Sequence, residues 1–278
     1  MKIQELERMW RETDASVCYA RINLDDKELW TRWRGLDAID FLATAPWCGQ
    51  LVLCTREVTA LIGCHFLAPC DPTKVVGLAH NYRSLVGDME AYPPPLIFLK
   101  SKNSLAGYGE IVAIPPSDNR SWLEVELAFV VGKRARNIKA EDGSDYIFGF
   151  TVANDMTTEN LASRDHHLAQ SKSLDGFCPC GPFLVPGVAS GNLKITSHID
   201  GERKQEGSTA DRLLTDEEII AYVSQYLTLE PGDLVITGTC GGWETTTLTP
   251  GCLMQVGVEK VGILRNPVLK QNNGSDFR

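Results

Sequence analysis

Glu124 and Glu126 stand two residues apart inside an apolar run, residues 122–133 (WLEVELAFVVGK). In a strand, residues two apart share a face. The two carboxylates would then point the same way, a few ångströms apart. Like charges at that distance repel, and one of them tends to hold a proton. A divalent cation removes the conflict, and Mg²⁺, Mn²⁺ and Ca²⁺ favour carboxylate oxygens. A third acid, Asp155, ends another apolar run, residues 148–154 (FGFTVAN), where it can join the pair. Three acids, with water or substrate completing the shell, make an open metal site. The same spacing also suits a strand with two solvent-facing glutamates and an aspartate capping a helix, because acids are mostly exposed.

These side chains need elements to hold them. Ile3, Leu6, Met9 and Trp10 share one face of an amphipathic helix over residues 3–12. Short strand-like runs follow at 17–22, 50–55 and 58–62. Two prolines in Pro69-Cys70-Asp71-Pro72 stop regular structure and mark a boundary. The expectation is a small N-terminal module, residues 1–70, and a catalytic domain, residues 71–278. In the second part, strands are expected at 74–78, 96–100, 123–132, 146–154, 183–185, 193–199, 234–237, 253–258 and 262–264. Residues 157–174 read as helix and loop. A helix over 215–226 opens on a capping box, Thr215 with Glu218. Strands outnumber helices and do not alternate with them, which predicts a β-rich α+β fold rather than a doubly wound sheet.

Composition narrows the function classes. Lys+Arg total 27 against Asp+Glu 36, a net charge of −9, so no general basic face awaits nucleic acid. No apolar run approaches the roughly 18–20 residues that cross a bilayer. Residues 1–12 are charged and lack a signal peptide's apolar centre. Nine cysteines, an odd number without C-x-x-C spacing, read as thiols in a reducing compartment. The expectation is a cytoplasmic enzyme with neither nucleic-acid nor membrane partner.

From residue 74 to 268 the chain resembles the fumarylacetoacetate hydrolase superfamily. Eight pieces occur in order: Asn81-Tyr82-Arg83, PLIFLK at 95–100, EVE at 124–126, VAND at 152–155, KSLD at 172–175 with FCP at 177–179, LEPGD at 229–233, ITGT at 236–239, and GILRN at 262–266. No one piece is specific, but eight in order are. The resemblance implies a roll-like mixed β catalytic domain, usually a homodimer. It implies Mg²⁺ or Mn²⁺ on Glu124, Glu126 and Asp155, holding a small 2-oxo acid by its carboxylate and keto oxygens. It also implies that Lys172 is the active-site lysine and that Tyr82 and Thr239 contact substrate. A cation on the keto oxygen stabilises the enolate formed when a neighbouring bond breaks. That bond can be C–H, C–carboxylate or C–acyl, and fold alone does not choose.

Departures from the family pattern bear on that choice. Where many members carry a water-activating lid His and Glu, this chain has Leu85 and Asp88. Leucine takes no proton, and Asp88 is half of a dyad. Glu159 and Ala162 replace an Arg and a Gln that contact substrate, and Gln255 replaces an acid. Substitute bases are His80, beside Asn81, and His166 or His167, between Asp155 and Lys172. The expected function is therefore a metal-dependent enzyme on a small 2-oxo or β-keto carboxylate, by isomerisation, tautomerisation or decarboxylation. Acylpyruvate hydrolysis with a relocated base, sugar-acid dehydration, and non-catalytic metal and carboxylate binding are the alternatives.

Overall fold

The computed structural model describes residues 1–49, 51–87, 94–115, 119–160 and 163–271. Its described strands form three five-stranded sheets and two short ladders. The sheet that carries Glu126 runs in the order Ile147–Asn154, Val125–Val131, Leu234–Thr239, Val75–Ala79, Leu96–Lys100. Val125–Val131 is an inner strand, buried at every position, which explains why its sequence is almost continuously apolar. It pairs antiparallel with both neighbours, whereas Leu234–Thr239 and Val75–Ala79 run parallel. The sheet is thus mixed, and the fold is β-rich α+β as the sequence predicts.

A second sheet orders Glu202–Ser208, Lys194–Ile199, Leu253–Val258, Gly262–Lys270 and Val112–Ile114. The third, formed by residues 18–67, orders Val52–Arg56, Ile39–Leu42, Lys27–Trp33, Cys18–Leu24 and His65–Leu67. One buried cluster joins all three regions: Leu6, Met9 and Trp33 belong to it together with Val76, Phe129, Phe183 and Val256. Phe183 takes the Trp33 ring at 5.1 Å and the Phe66 ring at 5.6 Å.

Helices are few. Ile3–Arg11 buries Leu6 and Met9. Asp216–Tyr226 starts on the expected capping box, with Thr215 Oγ1 accepting from the Glu218 amide and the Glu218 carboxylate accepting from that of Thr215.

Several elements differ from expectation. Residues 58–62, expected as a strand, turn instead in a 3₁₀ helix, Val58–Leu61, because Ala60 and Ile62 donate to carbonyls three residues back. An apolar run that short fits either state. Residues 183–185 form only isolated bridges, to Tyr19 and Phe150. Lys27–Trp33, Ile39–Leu42 and Glu202–Ser208 are strands that the apolar pattern did not show.

Candidate active site

Strand register assembles the acids. Val125 pairs with Asn154 and Glu126 with Ala153 on one side, and Glu126 pairs with Thr239 on the other. Glu124, just before the first strand, and Asp155, just after the second, therefore meet at the same end of the antiparallel pair, joined by the Asp155 amide donating to the Glu124 carbonyl at 2.9 Å. Asn154 Oδ1 in turn accepts from the Glu124 amide at 3.1 Å. One carboxylate oxygen from each of Glu124, Glu126 and Asp155 lies within 4.8 Å of the others.

Two lysines meet this cluster. Lys100, ending its strand with a fully buried side chain, donates to Asp155 Oδ1 at 2.5 Å and to the Met156 carbonyl at 3.1 Å. Lys172, ending the short helix Ala169–Lys172, donates to Asp155 Oδ2 and, at 3.1 Å, to Glu124 Oε2. Its ammonium also stands 5.0 Å from the centre of the Phe98 ring. Asp165 anchors the turn before Lys172 by accepting from the Ala169 and Ser171 amides. Phe98 fits because Gly77 lies opposite: a Cβ there would come within 2.2 Å of the ring.

Charge in the cluster is unevenly compensated. Burial would raise Asp155, but Lys100 and Lys172 outweigh it and hold the carboxyl below its usual range. Burial likewise disfavours charge on Lys172, yet Asp155 and Glu124 keep its ammonium more firmly protonated than a free lysine. Glu126 accepts from the Gly238 amide at 2.6 Å. Burial, followed by Asp155 and Glu124, pushes its carboxyl well above the ordinary carboxylate range. Three carboxylates against two ammoniums, with Glu126 and Asp155 buried and Glu124 partly so, offer an oxygen ligand set that fits a hard divalent cation.

A cavity of about 220 Å³ opens on this cluster. Glu124, Glu126, Asp155, Thr157, Lys172 and Thr239 supply its polar wall, while Leu78, Leu85, Phe98, Trp122 and Trp243 supply most of the apolar one. Thr239 Oγ1 accepts from Gln205 Nε2 at 3.0 Å, and Gln205 Oε1 accepts from Ser197 and from the Val125 amide.

The structure thus brings together Glu124, Glu126, Asp155, Lys172 and Thr239. His80 joins them at the cavity's edge, exposed and in the left-handed backbone region at φ 63°. His166 and His167 do not line that cavity; they are exposed beside a separate groove along Leu96–Lys100. Tyr82 is fully buried, its hydroxyl without a hydrogen-bond partner, and it is not among the lining residues. Asp88 lies outside the described residues.

Lys100, Gln205, Trp122 and Trp243 were not singled out from sequence. Lys100 stood in the PLIFLK piece, and only its burial beside Asp155 gives it a part. Gln205 sits in the wholly polar strand ERKQEGS, where nothing distinguishes the one inward glutamine.

The family model described as Fumarylacetoacetate (FAA) hydrolase C-terminal matches residues 74–269. The human protein named oxaloacetate tautomerase FAHD2A, mitochondrial, is 38% identical over 232 residues, spanning 78% of this chain and 72% of that one. An uncharacterized protein of Methanocaldococcus jannaschii is 36% identical over 199 residues, spanning 71% of this chain and 83% of that one. A structure described as 2-hydroxyhepta-2,4-diene-1,7-dioate isomerase from Mycobacterium marinum superposes with a TM-score of 0.82 at 27% identity, covering 93% of this chain and 100% of that one. Motifs, fold and matched length agree, and the chain belongs to the fumarylacetoacetate hydrolase family.

Proposed function

We propose that this protein is a divalent-cation-dependent enzyme that moves a proton between carbon and oxygen of a small 2-oxo acid, by keto–enol tautomerisation or the related isomerisation. The observation that carries the reading is Leu85 in the cavity wall beside the acids and Lys172. Hydrolysis needs a group that takes a proton from water, and leucine cannot. Tautomerisation needs proton transfer but no attacking water: one proton leaves C3, one arrives at oxygen, and the formula is unchanged. Similarity to proteins named as a tautomerase and an isomerase supports the same choice.

Glu124, Glu126 and Asp155 would hold the cation, which when bound supplies positive charge beside the substrate's keto oxygen. Lys172 adds a fixed ammonium where that oxygen becomes negative, and its carboxylate partners keep it charged. Thr239 accepts its hydrogen bond from Gln205, so its own O–H is free to donate into the cavity. An imidazole nitrogen of His80, at the cavity's edge, takes and returns the C3 proton. The protein is proposed to work on a free small molecule as a cytoplasmic homodimer, which sedimentation of the purified chain would check.

Chelator-stripped protein, restored with Mg²⁺ or Mn²⁺, should be given oxaloacetate and an acylpyruvate while enol absorbance, CO₂ and acid products are followed separately. The reading expects restored loss of enol signal with neither CO₂ nor cleavage above the uncatalysed rate. Cleavage keeping pace with enol loss would sink it in favour of a hydrolase, and CO₂ release in favour of a decarboxylase.

A further inference from the structure

Two tryptophans in the cavity wall serve neither hydrophobic core. Trp122 and Trp243 are only partly buried, and neither belongs to the two buried clusters of the described residues. Their rings stand 5.4 Å apart at 34°. Trp122 is fixed by its indole N–H, which donates to Glu124 at 2.6 Å. Arg120 braces the pair: its guanidinium carbon lies 5.0 Å from one ring centre and 5.4 Å from the other. Its Nη2 donates to the carbonyls of Trp243 and Glu244, at 3.0 Å each. The loop behind is pinned too, with Thr246 Oγ1 donating to the Leu123 carbonyl at 2.7 Å. Rigid, unpacked aromatic surface beside a catalytic cluster is a seat for something apolar.

Charge at the site points the same way. Among the described lining residues the cationic or titratable bases are Lys172 and His80. Lys172 is committed to Asp155 and Glu124, and His80 is exposed at the edge. A second carboxylate on the substrate would meet Leu78, Leu85, Phe98 and two indoles; Arg120, the cation behind the indoles, does not line the cavity and spends its Nη2 on the Trp243 and Glu244 carbonyls, so desolvating that carboxylate there is unfavourable.

We propose that Trp122 and Trp243 form the specificity seat for the substituent on C3, so that the preferred substrates are 2-oxo acids with one carboxylate and a flat apolar group, over dicarboxylates. Arg120 is a positioning residue for that seat. The inference rests on the proposed reaction site and deepens it.

The test is binding of phenylpyruvate and of oxaloacetate to the Mg²⁺-loaded protein, read by calorimetry and by quenching of tryptophan fluorescence, with enol turnover measured in parallel. Wild type should bind phenylpyruvate at least about tenfold more tightly. Trp243→Ala should shrink that ratio to within about threefold, and Trp243→Phe should recover part of it. Arg120→Met, which keeps both indoles, should shrink it partly. Equal or tighter oxaloacetate binding, no phenylpyruvate binding, or a Trp243→Ala variant that weakens both ligands alike would each overturn the inference. Tautomerisation with oxaloacetate preferred would sink the seat and spare the reaction. A phenylpyruvate preference without enol turnover would uphold the seat and sink the reaction.

Discussion

Asp155 has an ammonium on each of its two oxygens, and the two lysines do different things. Lys100 has no exposed surface and reaches only Asp155 and a carbonyl, so its part is to hold the carboxylate in place. Lys172 faces the cavity. Lys172→Met should therefore lower turnover by about 100-fold or more, since it removes charge stabilisation made at the reacting oxygen, and steady-state kinetics would show the loss in kcat. Lys100→Met should instead destabilise the fold, by about 3 kcal/mol in chemical denaturation; that is the low end for a broken buried pair because Lys172 remains as a partner. At this scale the sequence was readable where neighbours in the chain are neighbours in space. Two glutamates two apart and an aspartate at a strand end marked a candidate cluster, and the structure brings the three carboxylates together. Lys172 and Thr239 emerged only through the family resemblance. Gln205 and Trp243, brought in from remote segments, carry no local mark, and the exposed pair His166–His167 was drawn in by sequence proximity alone.

Elements place these residues through register and close backbone approach. Gly238 sits at φ +97°, in the left-handed region that side chains disfavour, and a Cβ there would stand 3.1 Å from both the Asn81 Cβ and the Leu78 carbonyl. Its amide also holds Glu126. Gly238→Ala should cost about 1–3 kcal/mol in stability and shift the Glu126 carboxylate. Thermal unfolding and calorimetric Mn²⁺ affinity would both fall. Strands with apolar runs were legible: Val75–Ala79, Val125–Val131, Ile147–Asn154 and Leu234–Thr239 all appear where the pattern placed them. Glu202–Ser208 was not, because its pairing partner Lys194–Ile199, rather than its own side chains, makes it a strand. The hairpin from Lys27 lost its signal to lysine, glutamate and arginine among its apolar positions.

The whole molecule ties its first 70 residues to the chemistry. Trp10, Trp33 and Phe66 pack on Phe183, and Trp47 packs on Phe148 at 6.0 Å. A chain begun at Asp71 would expose that surface, so it should be insoluble or molten by near-UV circular dichroism; a sharp thermal transition like that of the full chain would contradict this. Within the same sheet, Arg34, with Thr55 and Arg32, holds the Asp40 carboxyl well below the usual carboxylate range, against the effect of burial. A depressed folded-state pKa stabilises above the unfolded value of about 3.9, and that contribution is lost as pH falls further. Asp40→Asn should therefore melt several degrees below wild type at neutral pH, and the gap should narrow as pH drops below about 4. The aromatic packing across Pro69 was not visible in the sequence, because composition does not say which face a tryptophan meets.

Solvent-deuterium incorporation at C3 tests the central claim most directly. Oxaloacetate and phenylpyruvate in D₂O would be followed by NMR with chelator-stripped protein, with protein restored by Mg²⁺, and with restored Lys172→Met. The account expects C3 exchange above the uncatalysed rate only with the restored wild type, and no cleavage products in the same spectra. Exchange that ignores both the cation and Lys172, or C–C cleavage in place of exchange, would contradict it.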